Sequence, residues 1–245
     1  TMMSIQIAKS RFINMDQSAV YVYVQKQLTV LVKAEIRFEA CEFQNNTASK
    51  GGALFFHVDE YLPYKSTQHP VLIVANSLFI DNWAKLGGGA ISTSSYITSK
   101  IYNCKFQMFH KRSKTSIQLD QSNKGLFIET AGSIILENNS FCLNAPRISG
   151  SILYHWNDHS KLDQTAFTSF FKCYNWQYLE ITYEYANNDG LLYIDVMCKY
   201  CGSGQYSQLT SGTLHYQRGS EPSIAYFQML STNQGFCQDC PFGGN

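Results

Sequence analysis

Cys41-Glu42-Phe43-Gln44-Asn45-Asn46-Thr47-Ala48 leads into Gly51-Gly52-Ala53-Leu54, and Asn76-Ser77-Leu78-Phe79-Ile80-Asp81-Asn82-Trp83-Ala84 leads into Gly88-Gly89-Ala90-Ile91. Both stretches read Phe-x-x-Asn-x-Ala, then Gly-Gly-Ala and an aliphatic residue. Self-similarity over tens of residues is the mark of a chain that stacks one unit on the next. Weaker copies follow at Phe106, after Asn103-Cys104-Lys105, and at Phe141, after Asn138-Asn139-Ser140 and with Asn144 three positions on. Phe12 and Phe171 are the faintest. From Phe43 onward the Phe-to-Phe steps are 36, 27, 35 and 30 residues, so loops of different length must leave an otherwise regular coil.

Short β-branched and aromatic runs dominate up to about residue 197. They include 18–24, 28–32, 71–74, 132–136 and 191–195, each bounded by Gly, Asn, Asp or other polar residues. No amphipathic helix competes with them, and no two-residue hairpin dipeptide joins them. The expected fold is therefore all-β: a parallel coil that advances by one strand spacing, about 4.8 Å, per turn. In such a coil Phe43, Phe79, Phe106 and Phe141 stack inside, and Asn46 and Asn82 pass amide hydrogen bonds from rung to rung. Gly51, Gly52, Gly88 and Gly89 serve a corner that needs positive φ or close backbone approach.

Hydrophobic residues at 44% and charged residues at only 15% describe a folded chain rather than a disordered one. A net charge of +1 with scattered Lys and Arg leaves no basic stripe, which argues against a nucleic-acid partner. No stretch of about 18 apolar residues is present to span a bilayer as a helix. The start lacks the layout of a secretory signal. Both termini fall in mid-pattern, so the chain reads as a piece of a longer protein, with any membrane anchor outside it. No cofactor or metal is expected.

Phe-x-x-Asn with Gly-Gly-Ala-Ile or Gly-Gly-Ala-Leu resembles the repeat of the chlamydial polymorphic outer-membrane proteins and of their counterparts on protist surfaces. The resemblance is tight over residues 41–92 and loose over 1–197, and it implies a right-handed parallel β-helix. The tail is similar to the ephrin-receptor-like cysteine-rich repeat, carried by Cys198, Cys201, Gly204, Tyr206, Ser207, Cys237, Cys240, Pro241 and Gly243. Two parts follow: β-helix repeats over 1–197 and a small cysteine-rich module over 198–245. The resemblance implies an extracellular or cell-surface protein with a structural or adhesive task. Its partners would be neighbouring copies, other surface proteins or glycans, and assembly into filaments or coats would cover open β edges.

Cys198-x-x-Cys201 and Cys237-x-x-Cys240 suit either disulfides or a four-thiolate zinc site, and an extracellular setting favours disulfides without fixing their pairing. Cys142 and Cys173 form a further candidate couple. Cys41 and Cys104 hold one repeat position with a rung between them, a separation of about 9.6 Å that no disulfide spans. Asn45-Asn46-Thr47 and Asn138-Asn139-Ser140 are glycosylation sequons, with Asn45 and Asn138 the attachment points. The alternative function is a carbohydrate-active β-helix enzyme, a lyase or hydrolase, for which His57-Val58-Asp59-Glu60 and His155-Trp156-Asn157-Asp158-His159 are the nearest candidates. The acidic residues are scattered, so no catalytic residue is assigned.

Overall fold

A computed structural model describes residues 2–24, 33–58, 69–109, 126–143, 153–155, 166–173, 176–185, 192–207, 210–217, 223–226 and 237–239. These residues form a parallel β-solenoid, and none of them is helical. The first strand column holds Met2–Ala8, Lys33–Glu39, Val71–Ala75, Thr98–Tyr102 and the opening of Ser133–Leu143, each parallel to the last. The second holds Arg11–Ile13, Glu42–Gln44, Leu78–Ile80, Lys105–Met108 and the end of Ser133–Leu143. Thr47–Lys50 and Trp83–Gly87 make a short third column. The fourth contains Val20–Val24, Leu54–Val58, Ile91–Thr93, Ile128–Thr130 and Leu153–His155.

Register ties this architecture to the repeat. Phe12 lies opposite Phe43, Phe43 opposite Phe79, Phe79 opposite Phe106, Phe106 opposite Phe141 and Phe141 opposite Phe171. Ring centroids along that line are 4.9, 4.9, 4.7, 4.7 and 5.2 Å apart, and all but the last pair are within 8° of coplanar. The ring spacing is thus the strand spacing, and the stack is dictated by backbone pairing. Phe43, Phe79 and Phe106 are fully buried, with an apolar column of Phe38, Val74, Ile101 and Leu136 beside them. Side chains alternate across each strand. Leu54, Phe56 and Val58 point inward, while Phe55 and His57 are half-buried on the outer face.

Pairing reverses near the C-terminal end. Ala166–Lys172 still adds in parallel to Ser133–Leu143, but Ser211–Gln217 lies antiparallel on it and Ser223–Tyr226 antiparallel on Ser211–Gln217. In the fourth column Leu192–Tyr200 runs antiparallel to Leu153–His155 and to Gln177–Tyr185. Those added strands cover the last edges of the coil, where the strand expectations from sequence contained no reversal. Leu192–Tyr200 also runs without a break through residue 197, the expected end of the repeats. Of the predicted strands, 28–32 lies outside the described residues, as does Asn144 of the ladder.

Candidate functional site

The repeated residues sit at the corners between columns. Lys9, Ala40, Asn76, Asn103 and Asn138 each precede a stacked Phe by three positions, and all have φ between 51° and 53°, in the left-handed well. Asn14, Asn45 and Asp81, two positions after their Phe, have φ of 58°, 53° and 49°. Asn and Asp tolerate this conformation better than other side chains, which explains their recurrence on both sides of the phenylalanine. The ladder bonds continue through these bends. Ala40 N donates to Ala75 O at 3.0 Å, Asn76 N to Tyr102 O at 3.0 Å and Asn45 N to Ile80 O at 2.9 Å.

Asn46 and Asn82 are buried and bonded as the sequence predicts. Asn46 Nδ2 donates to Asn82 Oδ1 at 2.9 Å and to Phe12 O at 3.0 Å, while Asn82 Nδ2 donates to Phe43 O at 2.9 Å. Met15 N donates to Asn46 Oδ1 at 3.0 Å, extending the ladder by one rung through the main chain. A second polar column, two positions before each Phe, escaped sequence reasoning: Ser10, Cys41, Ser77, Cys104 and Asn139. Cys41 N donates to Ser77 Oγ at 3.1 Å and Cys104 N to Asn139 Oδ1 at 2.9 Å. Asn139 Nδ2 returns a bond to Ile101 O at 2.9 Å. The usable signal was a small polarizable or polar residue at a fixed offset from Phe, whatever its type.

The glycine corner has no room for a side chain. Gly51 takes φ 55°, and a Cβ on Gly52 would lie 2.4 Å from Gly89 O and 2.5 Å from Trp83 O. Register places Leu54 opposite Ile91, so Gly51-Gly52 and Gly88-Gly89 are the same corner in consecutive rungs.

Disulfides link Cys173 to Cys198 and Cys201 to Cys237. The expected coupling of Cys142 to Cys173 is therefore corrected: Cys142 is a free thiol on the strand Ser133–Leu143, and Cys173 instead meets a cysteine from the antiparallel strand Leu192–Tyr200. The engagement of Cys198, Cys201 and Cys237 removes three thiolates from the zinc alternative, and Cys240 lies outside the described residues. Cys41 and Cys104 are free and buried, as their spacing requires. Burial pushes the Cys104 thiol up to about 12, although carbonyl contacts at 3.3 Å to Tyr102 and 3.6 Å to Val74 hold its hydrogen-bonding position.

Asn138 is exposed, at a left-handed bend within the strand Ser133–Leu143, and Asn45 is half-buried at a left-handed corner. His57 stacks on Tyr23 at 5.6 Å, whereas 59–60 and 156–159 lie outside the described residues. Among the described residues no group of three or more His, Cys, Asp or Glu side chains converges as a metal site would.

Residues 40–57 and 76–94 match the Chlamydia polymorphic membrane protein repeat, the two segments that carry the Phe stack, the Asn ladder and the glycine corners. The match does not reach the cysteine-bearing tail, and no curated protein and no solved structure matches the chain. Over those two coils the chain is thus similar to the repeat of the Chlamydia polymorphic membrane proteins.

Proposed function

We propose that this chain is a non-catalytic structural and adhesive segment of an extracellular or cell-surface protein. The parallel coil acts as a rod and the antiparallel strands that follow it as a cysteine-stapled end piece, with neighbouring copies, other surface proteins and glycans as partners. The observation that carries this reading is the unbroken phenylalanine stack from Phe12 to Phe171, whose backbone bonds run along the coil axis. A rod bonded in that direction transmits load while presenting broad outer faces for contact. The opposite end supports assembly. Among the described residues Met2–Ala8 and Val20–Val24 are paired on one side, with Met3 at 43% and Ile5 at 42% exposure. Exposed strand edges of this kind favour continuation by further chain or another copy. Among the described residues no helix is long and apolar enough to cross a membrane.

Beads coated with the purified chain should adhere to cell monolayers more strongly than beads carrying the reduced, denatured chain. Equal adhesion of the two preparations contradicts the reading. Incubation with acidic polysaccharides addresses the enzymatic alternative, and accumulation of ultraviolet-absorbing unsaturated products would replace the rod with a lyase.

A further inference from the structure

The outer face of the fourth column carries a cluster of rings that the core does not use. Tyr21 stacks on Phe55 at 5.2 Å and Tyr23 on His57 at 5.6 Å, while Tyr21 approaches Tyr23 at 6.4 Å and Phe55 approaches His57 at 5.9 Å. The four rings form a two-by-two platform across adjacent rungs. Tyr21 is 57% and Tyr23 46% exposed, so two large amphipathic rings stand in water on a face where polar side chains would suffice.

Beside Tyr21 and Phe55 runs an open groove of about 440 Å³, within the range of roughly 300–1,000 Å³ common to small-molecule sites. Its other wall offers Asp16, Gln17, Ser18 and Lys50. Ser18 Oγ donates to Lys50 O at 2.9 Å, which leaves the hydroxyl oxygen as an acceptor. Lys50 Nζ is paired with the buried Glu129 at 3.8 Å, and Asp16 is the other charged group on the described lining. The groove therefore combines a partly exposed ring face with the polar groups of Gln17 and Ser18 and the carboxylate of Asp16, and its one described cation, Lys50, is already paired, so it does not favour sulfates or uronates.

We propose that this groove binds a neutral oligosaccharide, with the face of the Tyr21 ring turned away from Phe55 against one pyranose face, Phe55 backing Tyr21, and Asp16 and Gln17 bonded to the sugar hydroxyls. The negative π face of an aromatic ring attracts the weakly positive C–H groups on the flat side of a sugar, while the ring-bound hydroxyls remain at the edge for polar partners. Both halves of that recognition lie within this groove. The assignment deepens the adhesive reading and rests on it.

The test is a printed array of neutral oligosaccharides probed with the intact, oxidised chain, followed by titration of the best binder and by competition with heparin. A neutral sugar is expected to bind, Tyr21→Ala to weaken it at least about fivefold and Tyr21→Phe to retain it, with heparin ineffective. Tyr21 is solvent-facing, so an unchanged melting temperature separates lost recognition from lost folding. Absence of binding across the array, equal binding by Tyr21→Ala and the parent, or retention of an aromatic peptide in place of any sugar overturns the assignment. Bead adhesion distinguishes the two levels. Parent and Tyr21→Ala beads that adhere equally sink the groove and leave the adhesive role standing, whereas parent beads that fail to adhere sink the adhesive role itself.

Discussion

Gly52 shows how one residue can be fixed by its neighbours' backbones. A side chain there meets carbonyl oxygens of two adjacent rungs, and none of those atoms lies at the end of a flexible group. Gly52→Val is expected to cost at least about 3 kcal/mol, lowering Tm by roughly 6–12 °C. Gly202, where a Cβ would meet the end of the Gln205 side chain, supplies the control, and Gly202→Ala should shift stability by under about 0.5 kcal/mol. Cys104 makes a different claim, about protons. Its thiol is raised from 9.0 to about 12 because burial penalises the thiolate, so the native state keeps the proton that the unfolded chain gives up. This contribution is full below 9.0 and is lost as pH climbs toward about 12. Between about pH 8 and about pH 10.5 the parent should lose roughly 2 kcal/mol more stability than Cys104→Ser, read by urea unfolding, and equal losses would reject the buried-thiol account. The serine should be tolerated, since Ser77 fills the same corner one rung earlier with its Oγ 2.8 Å from Ala75 O.

Among the elements, the coil strands were legible where the sequence repeats a shape rather than a composition. Phe43 and Phe79 announced the stack because the ring must recur at each strand spacing, and Asn46 and Asn82 announced the ladder because an amide can both donate and accept along it. The second polar column stayed hidden because Ser10, Cys41, Ser77, Cys104 and Asn139 meet one geometric requirement with three chemistries. Ala40 and Lys9 likewise hold a left-handed corner that Asn usually marks. The reversal was illegible for a further reason. Gln177–Tyr185 and Leu192–Tyr200 pair along their full length, yet no two-residue turn dipeptide joins them. The Cys173–Cys198 bond fastens one of those reversed strands to the end of the coil, where Ser211–Gln217 also pairs. Replacing both cysteines by serine should remove about 3 kcal/mol from the end piece while sparing the central rungs. Hydrogen exchange would then quicken in Leu192–Tyr200 before Leu72 and Ile101, and uniform acceleration along the coil would contradict this division.

At the scale of the whole molecule, consecutive phenylalanine-marked segments lie in parallel, one rung apart, around a shared axis. Each rung contacts its neighbours, so stability and stiffness both accumulate along the coil. The glycine corners, the asparagine ladder and the surface role follow from that arrangement, as does the outer platform of Tyr21, Tyr23, Phe55 and His57. Residues Gln44, Ile80 and Gln107 occupy the same half-buried position in three successive rungs. Neighbouring parallel strands bring Cα atoms within disulfide reach, and two strand spacings of about 9.6 Å do not. Paired cysteine substitution is therefore the most direct measurement. Under mild oxidation Gln44→Cys with Ile80→Cys should cross-link efficiently and Gln44→Cys with Gln107→Cys should not. Cross-linking of the second pair in preference to the first would contradict the stacked coil.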